Sequence, residues 1–415
     1  MINVERVISE YHQNEKRRKL TKLTAVPTPT NERIQSIDAM RGLALLGIFF
    51  VNMIDFHSPW MYIDQLSYWG DQWNQFSMNV IDVLAQASFY PLFSFLFGYG
   101  FIILQNRLIA RSTRFHSVIV RRLVFLFILG VMHFVLIWHG DILFTYSLCG
   151  FLLLLFIKLK GKHLLQIGIG MWLFYALIFF LLLLPFNGDE FTSHNPEAIQ
   201  QSLLIYGSGS YMEILNQRVS DWTYVNGGIN GVLLLFSIFP YFLIGAAFAK
   251  EGWFNGKQNN LLLVRKLFFI GAIGFFVKIS PYVFDSYAFS HLQDSLGGPL
   301  VSLFYMSAIA LIYYSGKTLK PLEWVGKMAL TNYLFQSIVS TLIFYNYGLS
   351  LYGEVEVKTG ILLLLGIFLF QIAFSRWWLL KYRYGPIEWV WRMVTYRRRF
   401  LLKRNQEKEV LYENN

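Results

Sequence analysis

Long apolar runs dominate this chain and leave it few folds to choose from. They recur about ten times, and each approaches the 17 to 25 residues that a transmembrane helix needs. Because lipid offers the backbone no hydrogen-bond partners, such runs cross a membrane as helices. The sequence therefore predicts an all-α, polytopic integral membrane protein. The predicted spans are residues 36–55, 78–104, 118–138, 141–157, 163–186, 227–249, 261–284, 296–316, 327–347 and 359–380.

The basic residues lie almost entirely between alternate spans. Of the 36 Lys and Arg residues, 33 fall in residues 1–41, 104–122, 158–162, 250–266, 317–327 and 376–408. Lys and Arg favour the cytoplasmic side of a membrane, so we expect a multi-pass cell-membrane protein with both termini in the cytoplasm. The net charge of +11 then reflects topology, and nucleic acid is not an expected partner.

Three regions follow from this pattern. Residues 1–33 form a basic cytoplasmic tail, residues 34–384 form the transmembrane domain, and residues 385–415 combine an interfacial helix with a second basic tail. The tails are expected to contact the anionic headgroups of the lipid bilayer. A predicted external loop, 187–226, is either a lid or acceptor-binding surface, or an amphipathic segment on the membrane. Homo-oligomer formation stays an open alternative.

Polar side chains follow one face of the first predicted helix. Asp38 and Arg41 lie near its start, and Asn52 follows Arg41 by eleven residues, so those two point in directions about 20° apart. An ionisable group inside the bilayer costs roughly 2.5 to 3.5 kcal/mol or more, so it normally faces the protein interior. The stripe is either structural, with Asp38 capping the helix and pairing with Arg41, or the wall of a substrate or cofactor channel.

His57 lies just beyond this helix, in a stretch that also holds Pro59 and Trp60. An imidazole there would be wetted yet held by aromatic packing. With an ordinary pKa of about 6.5, it could act as a general base. The alternative is an interfacial histidine in an aromatic belt.

The third span and the turn after it carry two more histidines. Arg122 and His133 are eleven residues apart and share a helix face. His133 is either a base deep in the span or a hydrogen-bonded core residue. His139 and Asp141 form a histidine–carboxylate pair near the outer surface, or a turn in which Asp141 caps the fourth span.

Polar residues also mark the second and ninth spans. Asp82 precedes Pro91, which is expected to kink the second helix and free backbone carbonyls. Asn332 and Gln336 form a polar stripe in the ninth span, for which bonding between helices is the simpler interpretation. The chain has no metal-ligand spacing, phosphate-binding glycine loop or serine nucleophile elbow, so soluble-enzyme chemistry finds no support.

Several short motifs are distinctive in combination. They are Ser36-Ile37-Asp38 with Arg41-Gly42 and Val51-Asn52, Leu96-Phe97-Gly98, Arg121-Arg122-Leu123, Trp138 to Leu143, Ala329 to Tyr333 with Gln336-Ser337, and Gly385 to Tyr396. Together they resemble the YeiB-like family of bacterial membrane proteins, catalogued as domain of unknown function 418. The resemblance spans residues 33–396.

The amino-terminal pattern is also similar to that of the transmembrane acyltransferases, including heparan-alpha-glucosaminide N-acetyltransferase. Those enzymes move an acyl group from cytosolic acyl-CoA to an acceptor across the membrane. Their first helix begins with an acid-x-x-Arg-Gly run, matched here by Asp38 and Arg41-Gly42. An asparagine and a catalytic histidine follow, matched by type by Asn52 and His57. The resemblance implies acetyl-CoA or a longer acyl-CoA as donor, and the lack of metal-ligand spacing predicts that no metal takes part.

Acyl transfer is therefore the leading functional hypothesis. Arg41 and Arg122 would bind the phosphates of the donor, because guanidinium groups suit phosphate. His57 would deprotonate the acceptor. A 20-residue helix is about 30 Å long, so His133 is the alternative base for a deeper reaction, and Asp38 is a further catalytic candidate. Candidate substrate-binding residues are Asn52, Asp82, His139, Asp141, Asn332 and Gln336.

The alternative hypothesis is a transporter or permease for a small or lipid-like solute. Asp38, Arg41, Asp82, His133 and Lys278 would then line one pathway, as polar groups at mid-membrane often do. No repeat relates the first five spans to the last five, which removes one mark of a secondary transporter.

Overall fold

The computed structural model describes residues 34–63, 68–110, 115–186, 195–254 and 258–404, and these are helical apart from turns and one isolated bridge between Tyr382 and Lys403. The helices, in chain order, are α1 Gln35–His57, α2 Gln72–Leu84, α3 Phe89–Ala110, α4 Phe115–Leu136, α5 Leu143–Phe156, α6 Gly161–Leu183, α7 Pro196–Ser208, α8 Tyr211–Asn226, α9 Gly228–Lys250, α10 Leu261–Ile279, α11 Tyr287–Leu292, α12 Gly298–Tyr314, α13 Lys320–Lys327, α14 Ala329–Phe344, α15 Val357–Lys381 and α16 Pro386–Tyr396. A π-helical segment, Gln293–Gly297, joins α11 to α12.

The prediction of an all-α polytopic membrane protein is confirmed. Within the described residues, seven helical segments are long and apolar enough to cross a membrane: α1, α2 with α3, α4, α6, α9, α11 through α12, and α15. The shorter apolar helices α5 and α14, together with α10, fall in the remaining predicted spans. The number of crossings and the side of each terminus stay predictions. The predicted basic tail 1–33 and residues 405–415 lie outside the described residues.

The second predicted span is interrupted before its proline. Residues 85–88 separate α2 from α3, and Ala87 has a φ of 55°. The predicted kink at Pro91 is wrong, because Pro91 is the third residue of α3, where a missing N–H costs little. The expected free carbonyls are present nonetheless, since the Leu84 oxygen accepts from the Tyr305 hydroxyl at 2.9 Å and the Gln86 oxygen from Lys278 Nζ at 3.0 Å.

Two helices, α7 and α8, lie within the predicted external loop 187–226. Its role, either as a lid or acceptor-binding surface or as an amphipathic segment on the membrane, stays a prediction. Asn195 caps α7 by accepting from the Ala198 N–H at 3.1 Å. Ser210 and Glu213 form a capping box that begins α8. Residues 187–194 lie outside the described residues.

Glycine allows two helix pairs to approach at backbone contact. A Cβ on Gly98 of α3 would lie 2.1 Å from the Phe242 carbonyl oxygen of α9. A Cβ on Gly42 of α1 would lie 2.1 Å from the Leu322 oxygen of α13, and one on Gly326 would lie 1.9 Å from the Asp38 oxygen. Small residues permit such close crossings in membrane helices. The second crossing fixes the start of α1, where the polar stripe begins.

Candidate functional site

A cavity of about 430 Å³ lies between α1, α3, α4, α5, α13, α14 and α16. One end is basic, because five cationic side chains and only two acidic ones lie there. They are Arg41, Arg107, Arg122, Lys327 and Arg392, with Asp38 and Glu388. We call this end the basic end. The rest of the wall is apolar or aromatic and includes Leu45, Ile48, Phe93, Phe97, Tyr146 and Tyr333. Such a cavity suits a ligand that carries an anionic head and an apolar tail.

Asp38 and Arg41 form an ion pair at the basic end. Arg41 Nη1 donates to Asp38 Oδ1 at 2.9 Å, with the Asp38 side chain buried and that of Arg41 31% exposed. The predicted pairing is confirmed. The predicted cap is wrong, because α1 begins at Gln35 and Asp38 lies inside its first turn. Both residues also line the cavity, so the same two side chains form a structural ion pair and part of a cavity wall.

Arg122 is held against α16. Its guanidinium carbon lies 3.6 Å from the centroid of the Trp391 ring, and Trp391 Nε1 donates to the Arg122 carbonyl oxygen at 3.0 Å. A desolvated arginine stacked on an indole gains about 2 kcal/mol or more. Next to it, Arg121 Nε donates to the Thr395 oxygen at 2.9 Å and lies outside the cavity lining. The predicted interfacial helix thus forms one wall of the cavity.

Glu388 of α16 caps α14. Its Oε1 accepts from the N–H of Leu330 at 2.7 Å and of Thr331 at 3.0 Å, and the Thr331 hydroxyl donates to Oε2. Burial raises the pKa of Glu388, although the bonds from Thr331 oppose the shift. Sequence reasoning missed Glu388 because it caps a helix 58 residues away in the chain. The Gly385-Pro386 start of α16 was its only local signal.

His133 and Asp141 form a fully buried pair beyond the apolar end of the cavity. His133 Nδ1 lies 2.9 Å from Asp141 Oδ1, and both side chains are inaccessible. Asp141 Oδ2 accepts from the Phe144 N–H at 2.8 Å, which confirms the predicted cap on α5. His133 Nε2 has no hydrogen-bond partner within the described part of the chain. The imidazole lies 5.2 Å from the ring of Tyr333, which lines the cavity.

His139 pairs with Asp55 and not with Asp141, so that predicted pair is wrong. His139 Nε2 lies 3.1 Å from Asp55 Oδ2, and Nδ1 lies 3.9 Å from Asp221 Oδ2. Burial lowers the pKa of His139, but the carboxylates of Asp55 and Asp221 outweigh it, and the net shift is upward. The backbone turns between His139 and Asp141, so their side chains point toward different partners.

Asp221 anchors the segment that the sequence suggested as a loop. Its carboxylate accepts from Tyr62 at 2.7 Å, Tyr206 at 2.6 Å and Gln217 at 2.7 Å. Burial and then Asp221 raise the pKa of Tyr62, so this phenol stays protonated as a donor. Arg218 is fully buried and donates to the Ile137 oxygen at 2.9 Å. The network ties α7 and α8 over the end of α1.

The raised pKa of His139 predicts a pH-dependent stability. Protonated His139 faces Asp55 and Asp221, with Arg218 opposing it, so its stabilisation is fully present below the ordinary pKa and is lost as pH rises through the raised one. One pKa unit corresponds to about 1.4 kcal/mol. Thermal unfolding in detergent between pH 6 and 9 should show a midpoint that falls with pH, with a flatter profile for His139→Gln. An equal slope in both proteins would contradict this role.

Known proteins were compared with the whole chain. YxaH of Bacillus subtilis is 37% identical over 389 residues, which cover 89% of this chain and 96% of that protein. The profile described as "Protein of unknown function (DUF418)" matches residues 248–398. The chain belongs to the DUF418 family. YeiB of Escherichia coli K12 is 28% identical over 391 residues, covering 88% of this chain and 97% of that protein. A protein of Bacillus acidopullulyticus from the amylase 3' region is 28% identical over 395 residues, covering 92% and 99%.

The DUF418 match includes one side of the cavity but not the buried pair. Residues 248–398 contain Lys327, Tyr333, Glu388 and Arg392, whereas His133 and Asp141 precede them. The three relatives extend the likeness over most of the chain. The resemblance to the YeiB-like family is therefore confirmed.

His57 is the last residue of α1 and is fully buried, so the expectation of a wetted imidazole is wrong. Its ring lies 5.7 Å from those of Trp69 and Phe344, and a Cβ on Gly360 would lie 3.0 Å from Nε2. Neither ring nitrogen has a hydrogen-bond partner among the described residues. The helix continues further than the sequence suggested and carries the ring inward between aromatic side chains. Its catalytic role stays a prediction.

The other predicted substrate-binding residues lie apart from the cavity of this DUF418 protein. Asn332 Nδ2 donates to the Val325 oxygen at 3.1 Å and to Ser375 Oγ at 3.0 Å, and Gln336 Nε2 donates to Gln371 Oε1 at 3.0 Å. These bonds join α14 to α13 and to α15, as the simpler interpretation predicted.

Asn52 and Asp82 are also outside the cavity lining. Asn52 is half-buried further along α1. Asp82 accepts from the Tyr282 hydroxyl at 2.9 Å and from Gln293 Nε2, in a group with buried Lys278, whose Nζ lies 3.2 Å from Asp294 Oδ1. The helix break at residues 85–88 and the π-helical segment Gln293–Gly297 bring this second polar cluster together.

Proposed function

We propose that this membrane protein transfers an acyl group from an acyl-CoA, bound in the 430 Å³ cavity, to an acceptor. The acceptor approaches His133 from the side that faces away from the cavity. The observation that carries the proposal is the polarity of the cavity, which is basic at one end and apolar further in. An acyl thioester of a phosphorylated carrier has the same order of charged and apolar parts. Sites of roughly 300 to 1,000 Å³ hold ligands of this kind.

Each end of the cavity has a part in donor binding. The phosphates would meet Arg41, Arg107 and Arg122, because guanidinium groups bind phosphate through paired hydrogen bonds. The pantetheine arm and acyl chain would lie along Leu45 and Phe97. The bulkier nucleotide would stay at the basic end, which we place on the cytoplasmic side of the cell membrane with both termini.

His133 would serve as the general base of the transfer. Its Nε2 takes the proton from an acceptor hydroxyl or amine, whose oxygen or nitrogen attacks the thioester carbonyl. The carbon–sulfur bond breaks, the acyl group passes to the acceptor, and the proton goes to the departing thiolate. Asp141 holds the imidazole by Nδ1. The Tyr333 ring lines the cavity and lies 5.2 Å from the imidazole, and the imidazole itself is inaccessible, so we expect this ring to move during the reaction.

Transport is the less supported alternative. The five groups that would line one pathway fall into separate clusters: Asp38 with Arg41, His133 with Asp141, and Asp82 with Lys278. A single continuous polar path through these groups is therefore not the arrangement that the contacts favour.

Donor binding tests the proposal directly. The purified full chain in nanodiscs would be titrated with radiolabelled acyl-CoAs of increasing chain length, and label transfer to lipid or other acceptors would be followed in inverted vesicles. We expect Arg122→Gln to weaken donor binding by about 10- to 100-fold, since a charged hydrogen bond is worth about 1.5 to 3 kcal/mol. Arg121→Gln is the matched control and should bind normally. Folded protein that binds no acyl-CoA would contradict the proposal.

A further inference from the structure

A second space, which we call the lipid groove, lies on the other face of α1. It has a volume of about 400 Å³ and is lined almost entirely by apolar side chains. Gly47 and Phe50 of α1, Ile81 and Leu84 of α2, Tyr305 of α12 and Ile361 of α15 form its walls. The lipid groove shares no lining residue with the cavity, so α1 separates the two.

The rim of the lipid groove is apolar and exposed, which is typical of a surface that faces lipid. It includes Phe76, Val80 and Leu84, which are 62%, 38% and 45% exposed. Phe76 to Leu84 covers nine residues of α2, and the eight steps between them rise about 12 Å along the helix. An apolar space of this kind in the hydrocarbon region offers water no hydrogen-bond partners, whereas a lipid acyl chain buries apolar surface there.

An exposed group of three charges lies at one end of the lipid groove. Lys358 Nζ is 2.7 Å from Glu356 Oε2 and 3.7 Å from Asp71 Oδ2, and each of the three side chains is about half exposed. Lys358 precedes Ile361 by three residues on α15, and its N–H donates to Asn74 of α2 at 3.3 Å. Residues three apart on a helix share a face, so the charges lie about one turn beyond the groove.

We propose that the lipid groove and these charges bind one phospholipid whose headgroup carries both a phosphate and a primary ammonium. The acyl chain occupies the groove, Lys358 binds the phosphate, and Asp71 with Glu356 bind the ammonium. The two carboxylates repel a headgroup that has only negative charge. A trimethylated ammonium cannot donate hydrogen bonds to them, which favours the primary amine. This site is independent of the proposed acyl transfer.

Lipid retention by the full chain tests the site. The protein would be exchanged into micelles with equal amounts of phosphatidylethanolamine, phosphatidylcholine and phosphatidylglycerol that have the same acyl chains, and native mass spectrometry would count the retained lipids. We expect at least fivefold more bound phosphatidylethanolamine than either other lipid. Equal retention of the three lipids would overturn the headgroup assignment.

Two pairs of variants separate the chain from the headgroup. Ile361→Trp fills the groove and should lower retention at least fivefold, while Leu362→Trp, on an exposed side chain outside the groove, should not. Asp71→Asn combined with Glu356→Gln should bring the preference for phosphatidylethanolamine over phosphatidylcholine close to one, because the ammonium loses both carboxylates, and exposed Glu197→Gln should leave it unchanged. Equal effects within either pair would overturn the site.

Discussion

Replacement of His133 by Asn is expected to lower the rate of acyl transfer by about 10²- to 10⁴-fold, the usual contribution of a general base. Donor affinity should stay the same, because His133 does not line the cavity. The amide of Asn can still bond Asp141 but cannot accept the proton. Single-turnover transfer rates and acyl-CoA dissociation constants would be measured on the same purified protein.

His57 provides the matched control, because it is an equally buried imidazole that has no carboxylate partner among the described residues. His57→Gln should leave the transfer rate within about twofold of that of the unchanged protein, while Asp141→Asn, which can keep the cap on Phe144, should fall between the two. A rate that drops at His57 and holds at His133 would return the base to the residue implied by the acyltransferase resemblance. Equal losses at both would point to packing and contradict a chemical role for His133.

Local sequence patterns predicted much of the fold. Apolar runs of membrane length gave the helices, since a span must satisfy its own backbone. The Asp38–Arg41 pair and the Asp141 cap were predictable because each joins groups three residues apart in the chain.

Contacts between distant segments could not be read in the same way. Glu388 belongs to the site because α16 folds back onto α4 and α14, and no local period reports this. Asp221 and Arg218 are buried although their segment is polar. Asp221 accepts a hydrogen bond from the Tyr206 hydroxyl, and Arg218 donates one to the Ile137 oxygen, so protein groups take the place of water as their partners. The carboxylate partners of His139 and His133 depend on how the backbone turns between His139 and Asp141, and composition does not determine that turn.

Replacement of Gly326 by Leu is expected to destabilise the protein by about 3 kcal/mol, the upper part of the usual range for overpacking. A Cβ there would lie 1.9 Å from the Asp38 carbonyl oxygen and 2.8 Å from the Gly42 nitrogen. Both are backbone atoms of α1, so no side chain can turn aside, and α13 must move away from α1 as a unit. The loss would appear as a lower midpoint of thermal unfolding in detergent.

Gly366→Leu on α15 is the matched control, because no heavy atom of the described part of the chain lies within 4 Å of a Cβ at that position. It should be neutral or stabilising by up to about 1 kcal/mol, since Leu favours helix more than Gly does. Donor affinity should fall with Gly326→Leu as well, because Gly326, Asp38 and Arg41 line the same cavity. A Gly326→Leu protein as stable as the unchanged one would contradict the backbone contact between α1 and α13, and the ion pair at the basic end would then lose its fixed position.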